Sequence, residues 1–369
     1  MGSADEQTIN GDPAALSFDR ALAELQRGRV IQILGDGGAL LVGAVETLSA
    51  PLFERLAAAG RAVLLVTAER ALAAGLSRQL SGPVAVAFPR DADLDALRAL
   101  AGVGAGDATL ALDADHAPPF AALAAAGFQL AKAGRLVPAL IGVAADAGVA
   151  PGVIAIAATD IARYSLLCQR SLRLVSRARV PLADSVDSEI ALFRDEYGSA
   201  EHVAVLIGKP DGRDAVPVRL HSACLTGDLL ASLRCDCGEQ LRTAVARIAA
   251  LGGGVLLYLD QEGRGIGLPN KLRAYVLQDG GLDTVDADRH LGFLADERTY
   301  DVAATLLLEL GITRIRLLTN NPQKIHGLRE HGIEVAGRLP LVATTNTHNE
   351  RYLRAKLERA GHLAEESSG

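Results

Sequence analysis

The chain has no tryptophan, and aromatic residues make up only 4% of its 369 positions. Without aromatic platforms, single-stranded nucleic acid has little to stack on. No strong basic excess exists either, because 37 Lys and Arg stand against 44 Asp and Glu for a formal net charge of −7. Broad nucleic-acid binding through a basic surface is therefore not expected. Cysteines number four, too few for a disulfide scaffold in a chain of this length. No apolar run approaches the ~18 residues a membrane span requires. The start, Met1-Gly2-Ser3-Ala4-Asp5-Glu6-Gln7, lacks the basic-then-apolar order of a secretory signal. These absences lead to the expectation of a soluble, cytoplasmic protein. What is present is ordinary globular composition, 49% hydrophobic and 22% charged, in a length that suggests about two domains.

Helical and extended patterns alternate along the chain, which predicts α/β layers. Residues 1–15 read as a polar tail. Ala21, Leu22 and Leu25 then fall at helical spacing before Gly28, and Val30–Leu34 reads as a strand. Leu52–Ala59 and Ala68–Leu76 follow as helices around a strand at Ala62–Val66. Near residue 180 the composition changes, and Arg173–Arg179 with Val180-Pro181 reads as a solvated junction. Beyond it, Ile190–Arg194 and Val203–Ile207 read as strands flanking a turn at Gly198. Leu241, Val245, Ile248 and Leu251 form a helical stripe, and Val255–Leu259 is a buried strand. Ala303, Leu306, Leu307 and Leu310 mark another helix face, followed by a strand at Ile315–Leu318. In Thr319-Asn320-Asn321-Pro322, Asn321 suits an N-cap and Pro322 the first helical position, with Gly332 closing that helix. The tail beyond His362 is expected to fray.

Chemistry concentrates in three places. Cys224, Cys235 and Cys237 lie within 14 residues. Thiolates are soft ligands that suit zinc. Three of them leave a position for water, whose pKa the metal can lower toward ~7. Three buried thiols without metal, or a closed site completed by His221, are the alternatives, and the distant Cys168 reads as a core thiol. Second, Asp260-Gln261-Glu262-Gly263-Arg264-Gly265-Ile266-Gly267 follows a strand. Its glycines allow backbone amides near a phosphate and Arg264 adds a cationic fork, although a plain turn has the same pattern. Third, the helix start at Thr319–Lys324 offers free amides and a positive dipole end to an anion, or is simply a well-capped helix. Lys271-Leu272-Arg273-Ala274-Tyr275 and Asp296-Glu297-Arg298 taken alone read as solvated charged faces.

Taken together and in order, Cys224, Cys235-Asp236-Cys237-Gly238, Gln261–Gly267, Leu272–Tyr275, Leu277-Gln278-Asp279, Asp283-Thr284-Val285, Gly292-Phe293, Asp296–Arg298 and Leu318–Pro322 closely resemble GTP cyclohydrolase II, over about residues 185–365. The resemblance implies hydrolysis of GTP to 2,5-diamino-6-(5-phospho-ribosylamino)pyrimidin-4(3H)-one, formate and pyrophosphate, the first step of riboflavin biosynthesis. It implies one zinc per chain on Cys224, Cys235 and Cys237, with attack of the zinc's water on purine carbon 8. Tyr275 matches the tyrosine at the opening ring, Asp296 the proton acceptor, and Arg298 the nucleophile toward the α-phosphate. A guanidinium normally stays protonated, so stabilising phosphoryl charge is an equal role for Arg298. Arg219, Gln240, Glu262, Arg264, Thr284, Thr319 and Lys324 match GTP-contacting positions, and Mg2+ is expected with the triphosphate. The family often has Glu where Ala223 stands and Arg where Asp260 stands, which bears on nucleotide contacts and not on ligands or proton carriers.

The first half more faintly resembles 3,4-dihydroxy-2-butanone 4-phosphate synthase, which is often fused ahead of cyclohydrolase II. Residues 18–50 are similar to its opening helix and strand, and Ala147-Gly148 with Pro151–Ile154 to a later segment. That chemistry needs an acidic loop and a Gly-His-Thr-Glu segment. Here Gly35–Leu41 carries one carboxylate, Asp36, while Leu136 and Pro138 stand where the His and Glu belong. Magnesium needs oxygen ligands, so this half is expected to be inactive. The resulting expectation is a tail at 1–15, a degenerate synthase-like domain at 16–180 and a cyclohydrolase II domain at 181–369, with GTP as small-molecule partner, no nucleic acid or membrane partner, and a homodimer. The alternatives are a paralogue acting on another nucleotide or stopping at formamide release, and a catalytically silent zinc-bearing scaffold.

Overall fold

The computed structural model describes residues 11–341 apart from 37, 77, 79, 80, 105–112, 116, 117, 147, 198, 199 and 211–213. Asp12 starts the first helix, α1 (Pro13–Gln26), by accepting the Ala14 amide at 2.8 Å, and Pro13 occupies the first turn, where a missing N–H costs nothing. The expected polar tail is therefore shorter than residues 1–15, since Ala14 and Ala15 are buried on this helix. Positions 1–10, the turn at Gly198 and the end beyond His362 lie outside the described residues.

By packing, the chain divides into two units. The first comprises the described residues through Leu167 together with Leu272–Leu282 and Asp286–Ala295. The second comprises Cys168–Lys271, Asp283–Val285 and the described residues from Asp296 on.

In the first unit α1 is followed by β1 (Ile31–Gly35), β2 (Gly38–Ala44), α2 (Ala50–Ala58), β3 (Ala62–Val66), α3 (Ala68–Ala73) and β4 (Val84–Ala87). Next come α4 (Leu94–Leu100), β5 (Asp113–Asp115), α5 (Ala121–Ala133), β6 (Ala139–Ala145), β7 (Ile154–Ala157) and α6 (Ala158–Ser171), whose last four residues belong to the second unit. The seven strands form one sheet ordered β5-β4-β3-β6-β2-β1-β7. Its core gathers Leu64 and Val66, Val84 and Val86, Ile141 and Val143, and the helix faces Phe53, Leu56, Leu94 and Leu97. Phe18, Ala21 and Leu25 bury one stripe of α1, and Phe18 stacks on Tyr164 with ring centres 3.6 Å apart. Gly28 has φ +74°, and a Cβ there would meet the Thr47 carbonyl at 2.2 Å, so only glycine fits that turn.

The second unit contains β8 (Arg173–Arg179), β9 (Ser188–Arg194), β10 (Glu201–Gly208), β11 (Val216–Ser222), α7 (Cys237–Ala250) and β12 (Gly253–Leu259). Then follow α8 (Gly267–Asp279) and α9 (Thr284–His290), shared between the units, and α10 (Asp301–Glu309), β13 (Arg314–Leu318), α11 (Pro322–Glu330) and β14 (Glu334–Leu339). The sheet order is β14-β13-β11-β12-β10-β9-β8. The four strands from β14 to β12 run parallel, and the rest pair antiparallel. The Arg-rich stretch expected as a junction is the exposed edge strand β8, with Arg177 bonded to Glu189. Side chains alternate across the sheet. Val216, Val218, Leu220, Val255, Leu257, Leu259, Ile315 and Leu317 pack with Ala303, Leu306 and Leu307 of α10 and Leu328 of α11. On the other face Leu256 and Leu318 pack with Ala244, Val245 and Ile248 of α7. The expected α/β layers are thus present, around two sheets. Among the described residues no helix is long and apolar enough to cross a membrane.

Candidate active site

Three loops leave the C-terminal ends of neighbouring parallel strands. Cys224 follows β11, Gln261 and Glu262 follow β12, and Thr319 follows β13. Crevices outside the carboxyl ends of parallel strands are where α/β sheets hold ligands. The pattern Val216-Pro217-Val218-Arg219-Leu220-His221 decides what reaches the site. Val216, Val218 and Leu220 enter the core with α10, so Arg219 and His221 face the side that carries α7, where Arg219 meets Gln240.

Cys224 caps a single wide turn, Leu225–Leu229, by accepting the Gly227 amide on its sulfur at 3.3 Å. Cys237 opens α7, and Cys235 precedes it by two residues. The sulfurs of Cys224, Cys235 and Cys237 all lie within 4.8 Å of one another, and among the described residues they form the group suited to a metal ion. A Cβ at Gly227 would sit 2.7 Å from the Cys235 sulfur, 3.0 Å from the Cys237 Cβ and 3.1 Å from the Cys224 sulfur. The glycine keeps the sulfur cradle open, and the soft donor set fits zinc. Hydrogen bonds from the Cys235 and Cys237 thiols hold the Cys224 pKa far below normal, with Lys271 adding to the effect. Their bonds to Cys224 push the Cys235 and Cys237 thiols up. Metal binding requires its cysteine ligands as thiolates, which a bound cation stabilises.

Around this cradle lies a bonded support that joins His221 and Glu262 to three residues with no expected role in the site, Asp228, Tyr258 and Lys271. Asp228 accepts the Cys224 amide at 2.9 Å, the Tyr258 hydroxyl at 2.9 Å and a bond from His221 Nε2 at 3.1 Å. His221 Nε2 is thereby engaged with Asp228 while Nδ1 is buried without a hydrogen-bond partner, and the group of donor atoms within 4.8 Å of one another comprises the three cysteines without His221. Lys271 donates to Cys224 Sγ at 3.0 Å, Thr226 Oγ1 at 3.0 Å and Glu262 Oε1 at 2.7 Å. Glu262 Oε2 accepts the Leu225 amide at 2.6 Å. Lys271 was expected on a solvated face, but it is buried, because a neighbouring carboxylate and thiolate compensate its charge. Cys168 is half-buried on α6 and not in the core. The signal for Asp228 was its place four residues after Cys224; nothing local marked Lys271 or Tyr258, which lie 47 and 34 positions away in sequence.

Arg219 donates to the Leu318 carbonyl at 2.9 Å and to Gln240 Oε1 at 2.6 Å, while Gln240 donates to Asp236 at 2.5 Å. Its Nε is buried without a hydrogen-bond partner, and burial lowers its pKa to about 10. Arg264 stands at φ +62° beside Gly263 at φ +64°, in the tight turn Glu262–Gly265, and its carbonyl accepts the Glu297 amide at 3.1 Å. Arg298 grips Asp296 with two bonds, at 2.8 and 2.5 Å. Burial alone would raise the Asp296 pKa, but those bonds and the charges of Arg298 and Arg264 hold it below normal. Thr319 accepts the Asn321 amide at 3.0 Å, and Asn321 caps α11 as expected, by accepting the Gln323 amide at 2.9 Å. Lys324 is buried, with Nζ bonded to the Leu220 carbonyl at 2.8 Å. Charge links these residues: Arg298 acts on Arg219, Arg264 on Asp296, and Arg219 and Lys324 on His221. Thr284 opens α9 in the second unit, while Tyr275 lies on the part of α8 that packs in the first.

Known proteins share extensive sequence with this chain. A family model described as GTP cyclohydrolase II matches residues 173–340. "GTP cyclohydrolase-2" of Azospirillum brasilense is 46% identical over 97% of this chain and 97% of its own. "GTP cyclohydrolase-2" of Xylella fastidiosa (strain 9a5c) is 57% identical over 51% of this chain and 48% of its own. "Riboflavin biosynthesis protein RibBA" of Salinispora arenicola is 49% identical over 58% of this chain and 51% of its own. A solved two domain 3,4-dihydroxy-2-butanone 4-phosphate synthase from A. baumannii aligns over 89% of this chain and 99% of that one at 14% identity, with a TM-score of 0.33, too distant to bear on the argument. The near-complete match to the Azospirillum protein, over both halves, carries the conclusion that this chain is a hydrolase belonging to the GTP cyclohydrolase II family.

Proposed function

We propose that the chain hydrolyses GTP to 2,5-diamino-6-(5-phospho-ribosylamino)pyrimidin-4(3H)-one, formate and pyrophosphate, the opening step of riboflavin biosynthesis. The observation that carries this reading is the three-sulfur cradle beside the carboxyl ends of parallel strands β11 and β12, with the buried Arg219 feeling the charge of Cys237. Zinc held by Cys224, Cys235 and Cys237 would supply a Lewis acid that lowers the pKa of water for attack at purine carbon 8. The residues do the rest. Arg219, Gln240, Glu262, Arg264, Thr284, Thr319 and Lys324 bind and orient the nucleotide, with Mg2+ on its triphosphate. Asp296, kept ionised by Arg298, accepts the proton of the attacking water. Arg298, doubly bonded to a carboxylate, remains a cation and stabilises charge at the α-phosphate. One water each is consumed in opening the ring at carbon 8, in releasing formate from the formamide, and in cleaving the α–β phosphoanhydride. The proposal includes a cytoplasmic homodimer. It is tested by mixing pure protein with GTP, zinc and magnesium and following the absorbance of the pyrimidine. No change with GTP, or with any other nucleoside triphosphate, would leave only a silent zinc-bearing scaffold.

Tyr275 is assigned to orienting the opening ring. Tyr275→Phe should slow pyrimidine formation by about 10²-fold, the usual weight of one positioned proton-bearing group, with KM for GTP near wild type. A raised KM with kcat unchanged would remove Tyr275 from the chemistry.

We further propose that the first half is inactive as a butanone-phosphate synthase. Asp36 sits in an exposed turn, and Leu136 and Pro138 are buried and apolar. Proton transfer needs a titratable group within hydrogen-bond reach. Ribulose 5-phosphate with magnesium should therefore yield no four-carbon phosphate, and clear product would make the chain bifunctional.

A further inference from the structure

The first unit encloses two pieces of the family-matched region, Leu272–Leu282 and Asp286–Ala295. Within them Ala287 and Leu291 are 0% exposed and Phe293 is 1% exposed, as a core plug would be. Three N-terminal residues bond to this plug and its neighbouring helix. Thr67, which caps α3 by accepting the Arg70 amide at 3.3 Å, donates its hydroxyl to the Gly292 carbonyl at 2.8 Å. Arg70, 5% exposed, donates to the Leu100 carbonyl at 2.8 Å, the Ala99 carbonyl at 3.4 Å and the His290 carbonyl at 2.8 Å. The last of these is an orphan acceptor at the C-terminal end of α9. Glu46 accepts the Val137 amide at 3.0 Å on one oxygen and pairs with Arg273 at 2.7 Å on the other.

The backbones are also fitted to each other. Gly292, at φ +84°, would place a Cβ 3.1 Å from Thr67 Oγ1 and 3.3 Å from Pro138 Cγ. Gly102, at φ +83°, would place one 2.6 Å from the His290 carbonyl. A buried guanidinium spent on main-chain carbonyls is a costly way to fill a core. It is an effective way to fix where a loop runs. The held segments border the residues given chemical work: Tyr275 is two positions after Arg273, and Asp296 is three positions after Phe293.

We infer that the N-terminal half serves the cyclohydrolase reaction as a positioning device, with Thr67, Arg70 and Glu46 setting the placement of α8 and of the loop after α9. This rests on the reading of the chain as a GTP cyclohydrolase whose first half performs no synthase chemistry. It gives that half a use without any catalytic residue of its own.

The test compares full-length, zinc-loaded Thr67→Val, Thr67→Ser and Glu46→Gln with wild type. Valine keeps the shape of threonine and removes both hydrogen bonds. Glutamine keeps an acceptor for the Val137 amide and removes the charge that holds Arg273. Small misplacements of reacting groups cost up to about 100-fold, so Thr67→Val should lower kcat by about 10- to 100-fold with KM for GTP and zinc content unchanged. Glu46→Gln, whose ion pair is partly exposed, should lower it less, and Thr67→Ser should restore it. Amide hydrogen exchange should quicken at residues 287–293 in Thr67→Val while β11, β12 and β13 stay as protected as in wild type. Wild-type kcat in both Thr67→Val and Glu46→Gln would overturn the inference. So would a uniform loss of protection and zinc across the chain, which marks a merely structural role. A wild-type protein that leaves GTP untouched would instead overturn the cyclohydrolase reading on which the inference stands.

Discussion

Cys235→Ser should lose both its zinc and its release of formate from GTP. The three sulfurs lie within 4.8 Å of one another, and each is needed to compensate the charge and desolvation of a divalent ion. Even residues that merely support metal ligands change affinity by about 10- to 100-fold when mutated, so loss of a ligand from a set of three should exceed that. A second variant reaches the same site without touching a ligand. Gly227→Ala places a Cβ 2.7 Å from the Cys235 sulfur and 3.1 Å from that of Cys224. Either the sulfurs or the turn that carries Cys224 must shift to relieve this, so Gly227→Ala should also bind zinc poorly. Metal analysis of both purified variants, alongside formate assay, checks the point. A Cys235→Ser protein that turns over GTP without metal would contradict the metal assignment.

Arg298→Lys should lower kcat by about 10²- to 10³-fold, the range seen when one preorganised donor to developing charge is removed. Lysine keeps the charge but cannot reproduce the two-pronged grip on Asp296, whose bonds run at 2.8 and 2.5 Å. The pH profile should change as well. In the intact site Arg298 holds the Asp296 pKa below its ordinary value against the effect of burial. Without that grip the pKa rises, the carboxylate is protonated over a wider acid range, and the acid limb of kcat against pH moves to higher pH. A fall in kcat with the acid limb in place would show that Asp296 is not the group whose ionisation the reaction needs.

Much of this protein was legible in its sequence because the relevant patterns are local. The apolar run Val255–Leu259 marks a buried strand, and the structure places it as β12 in the middle of the second sheet. Asn321 and Pro322 start a helix because one accepts an amide and the other needs no donor. The three cysteines are close in sequence and meet in space. What escaped the reading depends on residues brought together from afar. Lys271 looked like a surface charge because its partners, Cys224 and Glu262, belong to other loops. Tyr258 looked like one more strand residue, though its hydroxyl supports Asp228. Near the N-terminus, Pro13 looked like part of a polar tail, yet Asp12 and a buried stripe of small and aromatic residues start the helix there. The link from Glu46 to Arg273 spans 227 positions, a distance at which no local pattern carries a signal.

The claim that this site opens GTP at carbon 8 and also cuts its triphosphate is tested most directly by product stoichiometry. Zinc-loaded full-length protein is incubated with GTP and magnesium, and formate and pyrophosphate are measured in the same sample against GTP consumed. The account predicts one formate and one pyrophosphate for each GTP lost. GTP loss with pyrophosphate but no formate, or with neither product, would contradict it.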